Sequence, residues 1–498
     1  MGSIHRIVLL LVLWLAVAAS TEAEQARGLA FQVRFSEQVC PTPFTGRVLV
    51  MLSKTSREPR TGPNWFNPEP FFAKDVKDWK PGTPLVIDNS ALGFPTTLDK
   101  LPAGTYSIQA VMDHGLNRTI GTAPGNAFSK SQRLELQAPQ GMGTIELLIE
   151  EPIKDRLFQE RDTIKLVDIE SKLLSRFHGR PIRLRAGVVL PKSFASQPDK
   201  RYPIIYDVPG FSGNHFMAPL YQRNTENDGV EMLYVVLDPD CPTGHHVFAD
   251  SANNGPCGKA LIEELIPHIE QKFRAIGKPT ARFVTGHSSG GWSSLWLQVA
   301  YPDFFGGCWS TAPDPVDFRD FQRINIYQPG ENMFKDAQGQ KRPIARRGSQ
   351  PVQFYKPFSD MEEVMGHGGQ LGSFEAVFSE RGPDGKPKKL WDRQTGTIDS
   401  EVAKSWEKYD IRLVLERNWA TLGPKLQGKL HVYMGDMDTF YLEGATRLLK
   451  DALVKLGSDA QVELFPGKDH GSLLDRSMRQ RIAKEMADAF RRHHPEGK

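Results

Sequence analysis

Hydrophobic and polar residues alternate in several short segments between residues 28 and about 150. Turns rich in Gly, Pro and Asn separate these segments, and no helical period of useful length lies between them. Such alternation is typical of half-buried strands, and short strands at regular spacing favour a sandwich. We therefore predict a small all-β, sandwich-like domain over residues 28–150. Its strand segments are Leu29–Phe35, Gly46–Leu52, Thr105–Met112, Gln132–Leu136 and Gly143–Ile149.

The pattern changes after a charged segment, residues 151–162, which we interpret as a linker. Beyond it, unbroken apolar runs such as Met232–Leu237 alternate with amphipathic helices such as Lys259–Ala275. Unbroken runs are typical of strands buried in a parallel sheet, and their alternation with helices predicts a doubly wound, mostly parallel sheet over residues 163–498. The other predicted strands are Ile164–Phe177, Ile182–Leu190, Tyr202–Asp207, Ala281–Thr285, Phe305–Ser310, Lys429–Met434 and Gln461–Phe465. The other predicted helices are Ser289–Ala300, Leu442–Leu456 and Asp475–His493.

Residues 314 to about 412 do not follow this rhythm, because they are rich in Gly, Pro and charged residues with scattered aromatics. Segments of this length without regular structure are usually functional or disordered. We predict an insertion near the mouth of a binding site, partly irregular and partly helical over Ser400–Trp419.

The first residues form a separate pattern. His5 and Arg6 precede an apolar run, Ile7–Ala19, and small residues follow. This pattern predicts a signal peptide over residues 1–23, and the run is shorter than the roughly 20 residues that span a bilayer. An uncleaved anchor is the alternative. We expect a secreted or periplasmic protein with no membrane span in the mature chain.

Composition excludes some partners. The 62 basic and 59 acidic residues nearly cancel, so nothing favours a nucleic-acid or membrane-surface partner. In an oxidising compartment a disulfide between Cys241 and Cys257 is expected, because they bracket one loop rich in Gly and Asn. Cys308 is interpreted as a buried thiol, and the state of Cys40 stays open. No Cys-x-x-Cys or His-Glu-x-x-His motif occurs, so the signal for a metal site is weak.

A Gly-x-Ser-x-Gly sequence, Gly286–Gly290, lies between a predicted strand and a predicted helix. A corner of this kind holds its serine in strained backbone geometry with the hydroxyl exposed above the sheet, which is the context of a nucleophile. The candidate is Ser288, and we interpret His287 as a packing residue. The alternative is a glycine-rich connection without chemistry.

A serine nucleophile needs a base, usually a histidine oriented by a carboxylate. In the chain order Ser, Asp, His, each partner is expected just after a later strand. The strand near Met434 is followed by Asp436 and Asp438, and the strand ending at Phe465 by His470. We favour Asp438 as the acid, with Asp436 in reserve, and His470 as the base.

An oxyanion hole needs two donors. The backbone N–H of Ser289 is one candidate, and the loop after the Tyr202–Asp207 strand is expected to supply the other. We favour the N–H of Phe211, while Gly210 and Ser212 stay open.

These segments together resemble the putative esterase branch of the α/β-hydrolase superfamily, which includes the esterase D-like proteins. The resemblance covers about residues 163–490 in family order. The matching segments are Tyr202–Tyr206, Glu264–Glu270, Gly286–Gly291, Gly435–Phe440 and Pro466–His470.

The resemblance implies that Ser288, Asp438 and His470 are nucleophile, acid and base, that no metal or organic cofactor is needed, and that carboxylic esters are cleaved. Two departures leave the substrate open: the added N-terminal β domain, and the long separation between nucleophile and acid.

The resulting hypothesis is a secreted serine esterase that works through an acyl-enzyme on a small-molecule or polymer-linked ester. The alternatives are an acyltransferase or peptidase with the same triad, or a non-catalytic secreted binding protein on a hydrolase scaffold. Residues 244–248, with Asp250 and Asn253, are expected either to line the pocket or to form an ordinary disulfide-braced loop. The sequence does not predict the acyl group, the alcohol or the oligomeric state.

Overall fold

The computed structural model describes residues 28–137 and 143–495, which divide into two units. The first unit runs to Arg156 and also contains Asp360–His367, a segment of the predicted insertion. The second unit comprises Leu157–Ser359 and the chain from Gly368 onward. The predicted signal peptide, residues 1–23, lies outside the described residues, and no described helix is both long and apolar enough for a membrane span.

The first unit is built from strands, as predicted. They are β1 (Ala30–Phe35), β2 (Phe44–Ser53), β3 (Phe71–Trp79), β4 (Leu85–Ile87), β5 (Leu92–Phe94), β6 (Gly104–Asp113), β7 (Ala127–Ser129), β8 (Gln132–Leu136) and β9 (Thr144–Pro152). Their hydrogen bonds join them in the order β4-β1-β9-β7-β6-β2-β3-β5, with β8 on β6. Every pair is antiparallel except β1 with β9. Phe31, Val33 and Phe35 are buried in the core and alternate with half-buried residues, as the period of two requires.

The Asp360–His367 segment is held inside this first unit by two polar contacts. The guanidinium of Arg47, on β2, donates to the carbonyl oxygens of Glu363 at 2.9 Å and Val364 at 3.0 Å. The His367 ring Nε2 lies 2.6 Å from the carboxylate of Asp113, at the end of β6. Burial alone would raise the pKa of Asp113, but the hydrogen bond and charge of His367 hold it below its ordinary value. The segment is therefore a structural part of the first unit, although it lies much later in the sequence.

The second unit contains an eight-stranded sheet. Its strands are β10 (Ile164–Glu170), β11 (Arg183–Val189), β12 (Ile204–Val208), β13 (Leu233–Leu237), β14 (Arg282–His287), β15 (Gly307–Thr311), β16 (Leu430–Gly435) and β17 (Gln461–Phe465). They pair in the order β10-β11-β13-β12-β14-β15-β16-β17. The pairs β10–β11 and β11–β13 are antiparallel and the other five are parallel, which confirms the predicted doubly wound sheet. The carboxyl ends of the parallel strands therefore meet at one edge, where α/β sheets carry their sites.

Helices connect and cover these strands, except that the part of Tyr355–Met365 from Asp360 onward belongs to the first unit. They are α1 (Lys172–His178), α2 (Cys257–Ala260), α3 (Ile266–Lys272), α4 (Ser289–Ala300), α5 (Tyr355–Met365), α6 (Gln370–Phe378), α7 (Ser400–Ser405), α8 (Ile411–Leu426), α9 (Glu443–Lys455) and α10 (Arg476–His493). Short two-stranded ribbons form between Glu226–Asn227 and Val230–Glu231, Asp240–Cys241 and Gly244–His245, Asp250–Ser251 and Gly255–Pro256, and Pro343–Arg347 and Gln350–Phe354.

Three element predictions need correction. The strand predicted over Ile164–Phe177 ends at Glu170, because Ser171 caps a helix by accepting from Leu174 N and Gly179 ends it with φ 66°. The helix predicted over Lys259–Ala275 contains a π turn, Leu261–Leu265, just before Pro267, whose missing N–H removes an α-helical hydrogen bond. The insertion is more helical than expected, since α5 and α6 precede the predicted helical part.

The predicted Cys241–Cys257 disulfide is wrong for this structure, in which all four cysteines are thiols. Each thiol of the expected pair has a local partner instead: Cys241 Sγ lies 3.2 Å from Thr243 Oγ1, and Cys257 Sγ donates to Asn254 O at 3.3 Å. Cys308 is buried as predicted, and burial raises its pKa to about 12, so it stays unreactive near neutral pH.

Candidate active site

A tight strand-to-helix turn in the second unit joins β14 to α4. Ser288 sits there with φ 61° and ψ −126°, a backbone conformation that residues other than glycine rarely adopt. Its amide donates to Thr311 O on β15 at 3.0 Å, and its carbonyl accepts from Trp292 N at 3.0 Å. The strained backbone is thus fixed from the sheet on one side and from the helix on the other.

The two flanking glycines make this corner possible. A Cβ on Gly290 would lie 1.8 Å from Val208 O, and a Cβ on Gly286 would lie 2.2 Å from Gly290 O. Both contacts are with backbone, which cannot move aside cheaply. The chain after β12 also passes close by, because a Cβ on Gly210 would lie 3.3 Å from the Cβ of Ser288.

Asp438 and His470 meet at the ends of β16 and β17. His470 Nδ1 lies 2.7 Å from Asp438 Oδ2, and since a carboxylate only accepts, Nδ1 carries the proton. Asp438 is fully buried, and its other oxygen accepts from Phe440 N at 2.8 Å. This tautomer leaves Nε2 of His470 as a proton acceptor.

Asp436, the reserve acid, has a different environment. Its carboxylate accepts from Gly467 N at 2.7 Å and therefore closes the turn that follows β17. Among the described residues it makes no hydrogen bond to His470. The geometry therefore favours Asp438.

Burial alone would lower the pKa of His470, but the charge of Asp438 and the hydrogen bond to it outweigh burial and raise the pKa above its ordinary value. The ring of His287 lies 4.6 Å from the His470 ring and makes a 3.1 Å hydrogen bond with Thr311 Oγ1. Burial, followed by the charge of His470, lowers the pKa of His287 to about 3, so its ring stays neutral. His287 packs, as expected, and the ring against which it packs is that of the candidate base.

The hydroxyl of Ser288, the candidate nucleophile, differs from the side chains of Asp438 and His470 because it has no hydrogen-bond partner among the residues that the structure describes. Within the described parts of the chain, the Ser288 side chain makes no hydrogen bond. Asp438 and His470 are therefore joined by a hydrogen bond, while Ser288 makes no hydrogen bond to His470 in this structure.

The candidate oxyanion donors lie on two sides of Ser288. Ser289 is the first residue of α4, where N–H groups have no partner within the helix. Phe211 lies in a turn after β12, closed by a 2.9 Å hydrogen bond from Gly213 N to Gly210 O, with Ser212 at φ 76°. The close approach of Gly210 to Ser288 places this turn beside the candidate nucleophile.

Three polar residues near this corner were not predicted from the sequence to lie at the site. Ser289 Oγ donates to Asp314 Oδ2 at 2.6 Å, and Gln370 Nε2 donates to Ser289 Oγ at 3.2 Å. Arg346, on the ribbon of the insertion, donates to Asp438 O at 2.8 Å and pairs with Glu443 at 2.7 Å. Asp314 follows a predicted strand on the site edge and could have been found by that signal. Gln370 and Arg346 carry no such signal.

The loop at residues 244–248 supports the corner. His245 Nε2 lies 2.8 Å from Pro209 O, and Ser293 of α4 donates to Val247 O. Asn253 donates to Ala376 O at 3.1 Å and thereby ties the loop to α6. Asp250 accepts from Lys259 N at 3.0 Å. These residues are braced by protein contacts rather than by the expected disulfide.

No group of three His, Cys, Asp or Glu side chains within residues 28–137 and 143–495 could hold a metal ion. The site combines a serine, an imidazole and a carboxylate at the carboxyl edge of a mostly parallel sheet. These features define an α/β hydrolase.

A family model described as "Putative esterase" matches residues 179–450, more than half of the chain, and the chain therefore belongs to that esterase family. The protein is a carboxylic-ester hydrolase. No curated protein matches the chain.

Several solved structures are similar to about two thirds of this chain. A ferulic acid esterase is 16% identical with a TM-score of 0.41, covering 66% of this chain and 99% of its own. An S-formylglutathione hydrolase from Agrobacterium tumefaciens is 15% identical with a TM-score of 0.39, covering 66% and 95%. A fluorophosphonate-binding serine hydrolase from Staphylococcus aureus is 14% identical with a TM-score of 0.38, covering 66% and 98%.

Proposed function

We propose that the protein is an exported serine esterase in which Ser288 is the nucleophile, His470 the base and Asp438 the acid. The observation that carries the proposal is the 2.7 Å hydrogen bond between Asp438 and His470, beside the strained corner that holds Ser288. Export is supported by the signal-peptide pattern of residues 1–23.

The reaction begins when the Ser288 hydroxyl turns to His470 Nε2 and completes the chain of hydrogen bonds. Nε2 takes the proton as Oγ attacks the ester carbonyl carbon, and the carbonyl oxygen becomes an oxyanion. The N–H groups of Ser289 and Phe211 donate to that oxyanion, and each such donor contributes about 2.7–4 kcal/mol of transition-state stabilisation. Asp438 stays ionised and holds the imidazolium in place.

The tetrahedral intermediate collapses when His470 gives its proton to the leaving alkoxide, which departs as the alcohol and leaves an acyl group on Ser288. Water then attacks the acyl carbon while His470 again takes a proton. Collapse of the second intermediate returns the proton to Ser288 and releases the carboxylic acid. No step needs a group that the chain does not supply.

An activity-based probe tests the assignment directly. We expect a fluorophosphonate to label the purified protein once per chain, with the modified peptide identified as that of Ser288 by mass spectrometry. The same preparation should hydrolyse simple acyl esters. A label on another serine would move the nucleophile elsewhere, and an unlabelled protein that cleaves no ester would refute the proposal.

The acid can be assigned by a matched pair of substitutions. Asp438→Asn should lower kcat by about 10⁴-fold, because an amide donor beside Nδ1 favours the imidazole tautomer that cannot accept the serine proton. Asp436→Asn, two residues away, should retain activity near the wild-type level because Asp436 only closes a turn. Steady-state ester hydrolysis by both variants distinguishes them, and equal losses would contradict the assignment.

The pH dependence follows from the raised pKa of His470. The base must be neutral to accept a proton, so kcat/KM should rise with pH through the pKa of the free enzyme. Because the folded-state pKa lies above the ordinary value of 6.5, the midpoint of the acidic limb should lie above pH 6.5. A midpoint below 6.5 would show that burial, and not Asp438, dominates. Asp436→Asn should leave the midpoint in place.

A further inference from the structure

Asp314 is a buried carboxylate fixed next to the nucleophile. It follows β15, its amide donates to Ser288 O at 3.3 Å, and its side chain accepts from Ser289 Oγ at 2.6 Å. Gln370 Nε2 lies 3.4 Å from the same oxygen, Oδ2. Only 6% of Asp314 is exposed. One backbone contact and two side-chain contacts therefore hold this carboxylate at the edge of the reaction site.

Asp314 has no lysine or arginine partner among the described residues, unlike several other poorly exposed carboxylates of the second unit. Asp317 pairs with Arg412, Glu375 with Arg393, and Glu270 with Arg282. No described lysine or arginine forms an ion pair with Asp314. A buried carboxylate without a cation is costly, and burial accordingly raises the pKa of Asp314 to about 6. At neutral pH it is still largely ionised.

Two hydrogen-bond acceptors at this place lack partners. Asp314 Oδ2 is occupied by Ser289 and Gln370, whereas Oδ1 accepts from no described residue. Gln370 directs its Nε2 toward these oxygens, and its buried Oε1 has no partner in the described chain. The opposite amide orientation would bring Oε1 against a carboxylate. Asp314 Oδ1 and Gln370 Oε1 are therefore acceptors without a partner among the described residues, whereas Gln370 Nε2 is already used as a donor.

We propose that Asp314 and Gln370 form a specificity subsite that accepts hydrogen bonds from a hydroxyl or ammonium group of the substrate. The preferred ester would then carry such a donor close to its scissile carbonyl. An alkyl group in the same place would leave both acceptors without hydrogen-bond partners, and sites of this kind reject the analogue strongly. The inference rests on the proposed function, because its position is defined relative to Ser288.

Matched esters of equal size test the subsite. Methyl 3-hydroxypropanoate and methyl 3-aminopropanoate replace the terminal methyl of methyl butanoate by a hydroxyl and an ammonium group. On the alcohol side, 2-hydroxyethyl acetate matches propyl acetate. Hydrolysis is measured by titration of the released acid. We expect kcat/KM for at least one donor-bearing ester to exceed that of its alkyl match by about 10²-fold. The two propanoates show which donor the subsite takes.

Substitutions connect the preference to the residues. Asp314→Leu should reduce the donor-to-alkyl ratio of kcat/KM to near one, and Gln370→Met, which keeps the carboxylate and its hydrogen bond from Ser289, should lower it by about 10-fold. Asp436→Asn is the control and should keep the wild-type ratio. Labelling of Ser288 by a fluorophosphonate in each variant shows that the corner is intact, and if Asp314→Leu does not fold, Gln370→Met decides.

Two results would overturn the subsite: a ratio near one for every ester pair in the wild-type protein, or an unchanged ratio in both Asp314→Leu and Gln370→Met. In either case, continued labelling of Ser288 and cleavage of the alkyl esters would leave the esterase proposal standing. Loss of labelling and of all ester cleavage in the wild-type protein would instead refute the proposed function.

Discussion

Replacing Ser288 with alanine should lower kcat for ester hydrolysis by about 10⁶-fold, the scale seen when one member of a catalytic unit is removed. The physical reason is that no other hydroxyl occupies the strained corner. Ser289, its neighbour, turns its hydroxyl to Asp314. Residual hydrolysis would come only from substrate binding and the oxyanion donors. Single-turnover and steady-state ester hydrolysis measure the loss.

Ser294→Ala is the matched control for this experiment, since Ser294 lies on the same helix and donates its hydroxyl to Gly291 O at 2.9 Å, away from the Ser288 hydroxyl. It should retain both hydrolysis and labelling by a fluorophosphonate. If Ser288→Ala hydrolysed esters at a rate close to that of the control, the nucleophile would have to be sought among other residues.

Replacing His470 with alanine should cost about as much as replacing Ser288, because a serine without its base is a weak nucleophile and the two act as a unit. The double variant Ser288→Ala/His470→Ala should therefore be little worse than either single variant. Ester hydrolysis at several pH values measures this, and the loss of His470 should also remove the acidic limb of the profile.

His494→Ala serves as the control for the histidine substitution. His494 lies after α10 and its ring contacts Thr280 Oγ1 at 2.9 Å, so it should hydrolyse esters at the wild-type rate. Retained activity in His470→Ala would reassign the base. The nearest other imidazole, His287, is held neutral and hydrogen-bonded to Thr311, and it would be the first residue to examine.

Periodicity predicted the large elements of the chain well and the short ones poorly. The apolar strands β12, β13, β15 and β16 are buried on both faces, so their composition differs clearly from that of the helices between them. The helix α1 was missed because seven residues hardly complete two turns, and its only signals are the caps at Ser171 and Gly179. The loop cysteines were paired wrongly because sequence distance does not show which acceptors a thiol meets.

The placement of the candidate site followed from topology. Residues just after parallel strands meet at one edge, and this rule brought Asp438 to His470 although 31 positions separate them. It could not find Gln370, which lies inside the insertion and reaches Ser289 only through tertiary packing. It could not find the contact of Arg346 with Asp438 O for the same reason. Contacts made by insertions have no periodic signal in the chain.

The composition of the first unit has a consequence for how the protein is made. Because Asp360–His367 supplies contacts to Arg47 and Asp113, the unit is incomplete when residue 156 leaves the ribosome. Domains usually fold as they are synthesised, N-terminal first. Here, completion of the first unit must wait until most of the hydrolase has been translated. A fragment that ends at the linker would therefore lack the Asp360–His367 segment of the first unit. Cutting the chain at the linker would leave neither unit complete and separate from the other.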